Sequence, residues 1–371
     1  MTTNPTGSIT GREPQLTNHA EKRGERRLSL RRLATMLSVL PPNAVSLDAA
    51  REMLRNEEFY VRYNAAKMLS RRADREARLI MQDVLREGDA PARASVARHL
   101  YGFSWYSAEP MIREALKDAD SRVREAAIYA LCDLRELNAY HLLREVLRDA
   151  NDDMRMAAAW GLRECQDPAA VPALEMVLLA DDPDVRVKGL EALGANDTPE
   201  ALPVVRNAMN DPEPDVKYAA TLSLLELAGE AWLVELSSII GRTSGATRHQ
   251  VLRGLFHATN YLKIDMGRTS AAEVMIDALE SALLDDMPEV RMAVAYPLAW
   301  MRHERSPMLL RKAYMLEEDP HVKAQMMRIG ASLSPDVGDE LLRDGLNSPI
   351  EHVRTVAQQI MEDRARIIVR K

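Results

Sequence analysis

The 371-residue sequence is poor in rings and thiols: aromatic residues make up 5%, with 3 Phe, and there are 2 cysteines. Alanine and leucine, helped by 20 Met, carry most of the 46% hydrophobic share, a diet that favours helix over sheet. Two cysteines, Cys132 and Cys165, cannot build a disulfide framework or a four-thiolate zinc site. No apolar run approaches the roughly 20 residues needed to cross a bilayer. The opening MTTNPTGSITGREPQ lacks the apolar stretch of a secretory signal. G-x-S-x-G, P-loop and dinucleotide glycine motifs are missing as well. The expectation is a cytoplasmic, mostly helical protein with no catalytic site, no metal and no cofactor.

What the sequence does contain is a repeat, and a period of this size decides the fold. The segments SRVREAAIYAL, DDMRMAAAWGL, PDVRVKGLEAL, PDVKYAATLSL and PEVRMAVAYPL share an apolar anchor, a basic residue after it, small residues mostly at +3 and +4, and Leu at +8. Counted on the anchor, the copies fall at Leu30, Val61, Ala92, Val123, Met154, Val185, Val216 and Thr247, every step being 31 residues. Val290, Val322 and Val353 follow at steps of 43, 32 and 31, so there are eleven copies and one insertion near residues 259–270.

Apolar residues at 0, +4 and +8 mark an amphipathic helix buried on one face. Asp181-Asp182-Pro183, Asp211-Pro212 and Asp319-Pro320 supply cap-plus-proline starts for these helices. Upstream runs such as PAAVPALEMVLLA and PEALPVVRNAMN open on Asp167-Pro168 and Thr198-Pro199 and read as a second helix per copy. The expected fold is therefore all-α: a curved, superhelical α-solenoid of about eleven two-helix units over 28–371. Residues 1–27, polar and without apolar periodicity, are expected to form a disordered tail.

The D-x-x-V-R-x-x-A-A-x-x-L pattern at a 31-residue pitch resembles HEAT repeats, in particular the short phycobilisome-lyase-type HEAT-like repeat, over residues 28 to about 364. That resemblance implies the solenoid and leaves activity open, since the family spans bilin lyase subunits, phycobilisome-degradation factors, the di-iron deoxyhypusine hydroxylase and plain scaffolds. The hydroxylase needs His-Glu pairs on successive repeats; this chain has one, His303-Glu304. His249 and His257 share a helix face, but at two turns' spacing, about 12 Å, they are too far apart to chelate one metal.

Every anchor is followed by a basic residue: Arg31, Arg62, Arg93, Arg124, Arg155, Arg186, Lys217, Arg248, Arg291, Lys323 and Arg354. Such a column suits a phosphate track, yet acids three to five residues before many anchors (Asp120, Asp149, Asp181, Asp211, Asp286, Asp319) favour a structural ladder between repeats, the pairing that HEAT-like families use. The net charge of −7 also opposes long-range attraction to nucleic acid. Residues 1–110 run against that balance with 18 basic and 13 acidic residues, among them Arg71, Arg72, Arg75 and Arg78, and keep a nucleic-acid alternative open.

In a stack of two-helix repeats the second helices line the concave surface used for partners. The stripe at +2, +6 and +10 on these helices collects Tyr63, Tyr129, Met156, Trp160, Tyr218, His249, Arg253, His257, Tyr296 and Trp300, the residue types that anchor interfaces. These are the candidate partner-binding residues, in two patches: Tyr129, Met156 and Trp160 with Asp133 and Glu164, then Tyr218 onward. Packing of the rings between repeats is the competing explanation. Two irregular segments, HLYGFSWY at 99–106 and TNYLKIDMGRTS at 259–270, carry either function or packing. The function read from the sequence is a non-enzymatic scaffold for a protein or peptide, the partner and oligomeric state unspecified. The alternatives are a tetrapyrrole-handling factor with bilin lyase-like activity, and nucleic-acid binding through the basic N-terminal third.

Overall fold

The computed structural model describes residues 41, 43–333 and 335–369, so the expected tail 1–27 and the first anchor, Leu30, lie outside the described residues. Among the described residues there is no strand, and helices alternate with short turns throughout. The chain divides into two compact units, Met1–Glu145 and Val146–Lys371. Each is a run of α-solenoid.

In the first unit the second helices of successive repeats are Phe59–Arg72, Ala90–Arg98 and Ser121–Leu134, and each packs on the next. In the second unit they are Asp152–Leu162, Pro183–Asn196, Pro214–Ala228, Gly245–Leu262, Pro288–Met301, Pro320–Leu333 and Glu351–Val369, packed in the same sequential order. The first helices form their own layer, for instance Leu233–Arg242 against Ala272–Ala282 and Ser306–Leu316 against Pro335–Leu346. Anchors Val61, Ala92, Val123, Val185, Val216, Val290, Val322 and Val353 are buried, as are the leucines eight places on from Leu69 to Leu298. Met154 and Thr247 are half-buried. Within each unit the core is thus a seam between the two layers, which is why the repeat shows so plainly in the apolar spacing.

Helix starts follow the cap logic with two shifts. Asp182 accepts from the Asp184 N–H at 2.9 Å with Pro183 in the first turn. Asp319 accepts from the His321 and Val322 N–H groups at 2.8 and 3.0 Å. Asp211-Pro212 does not open its helix: that helix starts at Pro214 behind Glu213, and the Asp211 carboxylate is used elsewhere. Thr198-Pro199 likewise precedes the start at Ala201. The Asp211 carboxylate is taken by Arg186 of the preceding repeat, and the Thr198 hydroxyl donates to Asn196.

Second helices end alike. Ala73, Arg135, Asp197 and Arg302, each twelve residues after its anchor, turn left-handed with φ of 50–53°, a C-cap conformation that frees the chain to reverse. Lys263 does the same with φ 58° sixteen residues after Thr247. Four residues of the insertion therefore become one added turn of Gly245–Leu262. The rest coils through Met266–Arg268, with Met266 fully buried. A Cβ on Gly267 would stand 2.0 Å from the Met301 carbonyl oxygen, so only glycine lets this loop close over the end of Pro288–Met301. The aromatic turn 99–106 also divides its rings: Phe103 and Trp105 enter the core, while Tyr106 is exposed.

Candidate interaction face on the second helices

The basic column occupies the edge of the repeats where one unit's second helix meets the turn of the next. Arg93 grips Asp118 through Nε at 2.7 Å and Nη2 at 2.9 Å, and its Nη1 donates to the Gly88 carbonyl. Arg186 holds Asp211 at 2.9 and 3.0 Å and reaches the carbonyls of Ala180 and Asp181. Arg291 holds Glu317 at 2.8 Å twice and reaches the carbonyls of Asp285 and Asp286. Arg248, with its repeat lengthened by the insertion, meets Asp285 at 2.9 Å. The carboxylate in all four pairs sits five residues before the next anchor. Asp120 and Asp319 serve as helix caps instead, and Asp181 and Asp286 lend backbone carbonyls.

The rest of the column is less uniform. Arg62 and Arg124 donate to carbonyls of the turn before their own helix. Arg155 pairs with Asp152 at 3.3 Å within its own helix. Lys217 lies 3.4 Å from the Thr247 hydroxyl. Hydrogen bonding to Asp118 raises the Arg93 pKa, and the Arg93 guanidinium in turn holds the Asp118 carboxyl low. Arg93–Asp118, Arg186–Asp211 and Arg291–Glu317 are the bidentate pairs at the inter-repeat joints.

In the first unit the stripe gathers around Arg98. Its guanidinium stands 5.2 Å above the Tyr129 ring and 5.9 Å from that of Tyr101, and its Nη1 lies 2.5 Å from Asp133. Tyr63 meets the His99 ring edge-on at 4.4 Å, and Phe59 lies 5.6 Å from Tyr63. His99 is fully buried, its Nδ1 donating to the Ser95 carbonyl at 2.9 Å, with no partner at Nε2. Burial pushes its pKa from 6.5 down to about 4. Burial also pushes the Tyr101 and Tyr129 hydroxyls up. Tyr63 and Tyr129 are among the expected binding residues; Arg98, on the same stripe, and His99 and Tyr101, of the aromatic turn, are the partners the structure adds to them.

In the second unit the tightest cluster is Tyr218, Arg253 and His257. The Tyr218 hydroxyl lies 2.7 Å from His257 Nδ1, and Arg253 stacks 5.1 Å over the Tyr218 ring. Phe256 joins His257 at 5.8 Å to Tyr296 at 5.1 Å, and the Tyr296 hydroxyl accepts from Gln325 at 2.6 Å. Four successive repeats thus contribute to one connected row. Two helices of this row nearly touch: a Cβ on Gly254 would lie 2.8 Å from Thr221 Cβ and 3.1 Å from the Tyr218 carbonyl oxygen. His249 is half-buried, and burial lowers its pKa. Trp300, 41% exposed, stands in the open.

Nearer the start of the second unit, Trp160 is 50% exposed, with the Lys188 ammonium 5.8 Å over its ring and Glu191 2.8 Å from that ammonium. Met156 is half-buried on the same helix. Burial raises the Glu226 carboxyl in this neighbourhood. Tyr129 and Asp133 belong to the first unit, and Met156, Trp160 and Glu164 to the second, so each half of the first expected patch is described within its own unit. Cys132 and Cys165 are buried, one in each unit. His303 bonds Glu273 through Nε2 at 3.2 Å and accepts the Arg305 N–H at Nδ1. Among the described residues no group of three or more His, Cys, Asp or Glu could hold a metal ion. Among them, too, no helix is long and apolar enough to cross a membrane.

The family model for HEAT repeats matches residues 81–163, 108–188 and 177–256. Among solved structures, a Kap121p mutant is 15% identical at a TM-score of 0.59, covering 89% of this chain and 42% of that one. Kap121p bound to Ste12p is 15% identical at 0.57, covering 87% and 42%. The complex of CpcE and CpcF of phycocyanin lyase from Nostoc is 20% identical at 0.29, covering 80% and 95%. A comparison with curated proteins finds no match. At these identities the likeness speaks for the fold alone. The overlapping matches to HEAT repeats span residues 81–256, and the two-helix unit at a 31-residue pitch found there recurs on either side of them.

Proposed function

We propose that the protein is a non-enzymatic scaffold that grips a protein or peptide along its second-helix face, the concave face in a stack of this kind. The observation that carries this reading is that each unit sets cations on the rings of this face: Arg253 on Tyr218 and Lys188 on Trp160 in the second, Arg98 on Tyr129 in the first. Trp160 and Trp300 stay exposed at 50% and 41%, although burying a tryptophan is among the larger gains open to a fold. Exposed rings held by neighbours are pre-organised anchors, which lose little freedom on binding. The same fold in Kap121p holds a protein, Ste12p. A cytoplasmic setting belongs to the same proposal.

The test is the double variant Trp160→Ala, Trp300→Ala in the full chain. Partners recovered with the wild type should be lost, with the melting temperature shifted by less than about 2 °C because neither ring is in the core. Recovery of the same partners by the double variant would refute the second-helix face as the binding surface.

A further inference from the structure

A second surface lies on the other layer. The first helices Ala272–Ala282 and Ser306–Leu316 leave a groove of about 370 Å³ between them. Its floor is apolar, with Leu283, Leu309 and Ala313, and Leu284 and Leu316 stand on its rim at 73% and 64% exposure. Both rim leucines sit six residues before an anchor, Val290 and Val322, so the repeat itself sets them side by side. Leucines this open at the lip of an apolar groove are unusual on a face that has nothing to cover.

The charge around the groove has one sign. Five carboxylates line it against two cations, Arg291 and Lys312. Asp285, Glu317 and Glu280 are already engaged by Arg248, Arg291 and Arg305. Asp286 and Glu318 are exposed and have no ion-pair partner among the described residues. The equivalent groove between Val171–Val177 and Ala201–Asn207 has the exposed leucine, Leu179, but Asn207 and Asn210 on its rim. That earlier groove has one exposed acid without an ion-pair partner among the described residues, Glu175, where the later groove has two acids beside two open leucines.

We infer that this groove docks a linear protein segment in which one or two Leu-like side chains are flanked by Lys or Arg. The apolar side chains enter between Leu284 and Leu316, and the flanking cations meet Asp286 and Glu318. Burial supplies most of the affinity and the unpaired carboxylates supply orientation and on-rate. This surface is separate from the second-helix row, so the two can be tested apart.

Fluorescence anisotropy on the full chain tests it, with a labelled peptide of two leucines flanked on each side by two arginines. The peptide should bind, and binding should weaken about tenfold or more for Asp286→Lys with Glu318→Lys, and again for Leu284→Ser with Leu316→Ser. Raising the salt severalfold should weaken the wild type and spare the charge-reversed variant. The pair Trp160→Ala, Trp300→Ala should leave the affinity unchanged, so failure here is distinct from failure of the second-helix face. Absence of binding, equal binding of a peptide with glutamates in place of arginines, or indifference to both groove variants would overturn the proposal.

Discussion

Replacing Glu317 by glutamine removes one charge from a joint almost closed to water. The carboxylate is 1% exposed and its partner Arg291 is 20% exposed, so solvent cannot stand in for what is lost. Oε2 takes Arg291 Nε at 2.8 Å, while Oε1 takes Nη2 at 2.8 Å and the N–H groups of Glu318 and Asp319 at 3.1 and 2.9 Å. An amide oxygen can stay on those two backbone donors only by turning its NH₂ toward Arg291 Nε, where donor meets donor. Removing one partner of a buried ion pair costs about 3–5 kcal/mol. Glutamine keeps the backbone bonds, so about 3 kcal/mol is expected. At about 2–4 °C per kcal/mol for a unit of this size, the melting transition of the second unit should fall by about 6–12 °C. Repeats touch only their neighbours, so amide protection should drop first in Pro288–Met301 and Pro320–Leu333.

The same pair fixes a pH dependence. Burial alone would raise the Glu317 pKa, but the hydrogen bonds from Arg291 and from the Asp319 N–H outweigh it and hold the carboxyl below its ordinary value of 4.5. A group depressed in the folded state stabilises above its unfolded pKa and loses that contribution as pH falls through the folded one. Wild type and Glu317→Gln should therefore differ fully at pH 7 and converge as the pH falls below 4.5 and through the lowered folded value. Thermal denaturation at a series of pH values reads both effects. A variant melting within about 1 °C of wild type at pH 7, or a gap that stays constant into acid, refutes the reasoning.

Two further perturbations probe the second-helix face from inside. His99 is neutral in the fold down to about pH 4, against 6.5 for the free group, so the unfolded chain takes up its proton first as pH falls. The first unit should lose about 3 kcal/mol between those values, and His99→Phe should flatten the slope; an unchanged slope in urea titrations would count against buried His99 as its source. Gly254→Ala places a methyl 2.8 Å from Thr221 Cβ and 3.1 Å from the Tyr218 carbonyl oxygen. Overpacking should cost about 1–3 kcal/mol by chemical denaturation, and a neutral result would mean that the helices Pro214–Ala228 and Gly245–Leu262 part freely.

The repeat was legible because its signal is written in the residues that cannot vary in size or polarity: a buried anchor, small residues one turn on, and an apolar residue at the end of the second turn. Helix starts were legible to within a few residues where a carboxylate had a single task, as at Asp182. They slipped where the same carboxylate was needed across the joint, as at Asp211. The ladder shows why. Sequence reading accepts any acid three to five residues before an anchor, but a guanidinium on a rigid helix reaches only one of them. Geometry selects Asp118, Asp211, Asp285 and Glu317, and three of those four carried no mark that set them apart from the acids beside them.

The ring clusters of the proposed face were legible in part and blurred elsewhere by one residue of register. The stripe at +2, +6 and +10 finds Tyr63, Tyr129, Tyr218 and Tyr296, all of which make ring contacts. Tyr101 and Phe256 both stand at +9, at the margin of that stripe, and each completes a cluster the stripe leaves open. The signal was available, since two rings recur at one register in a chain with few rings to place. A helix face about 100° wide takes in +9 together with +2 and +6, and the closeness of the neighbouring helices decides which ring turns inward. Around Gly254 that closeness leaves no room for a side chain, so the rings of Tyr218 and Phe256 stand at the rim of the joint, half-buried. There Tyr218 meets Arg253 and His257, and Phe256 meets His257 and Tyr296. Tight backbone packing is thus what presents the aromatic row, and a single added methyl at Gly254 should disturb fold and face together.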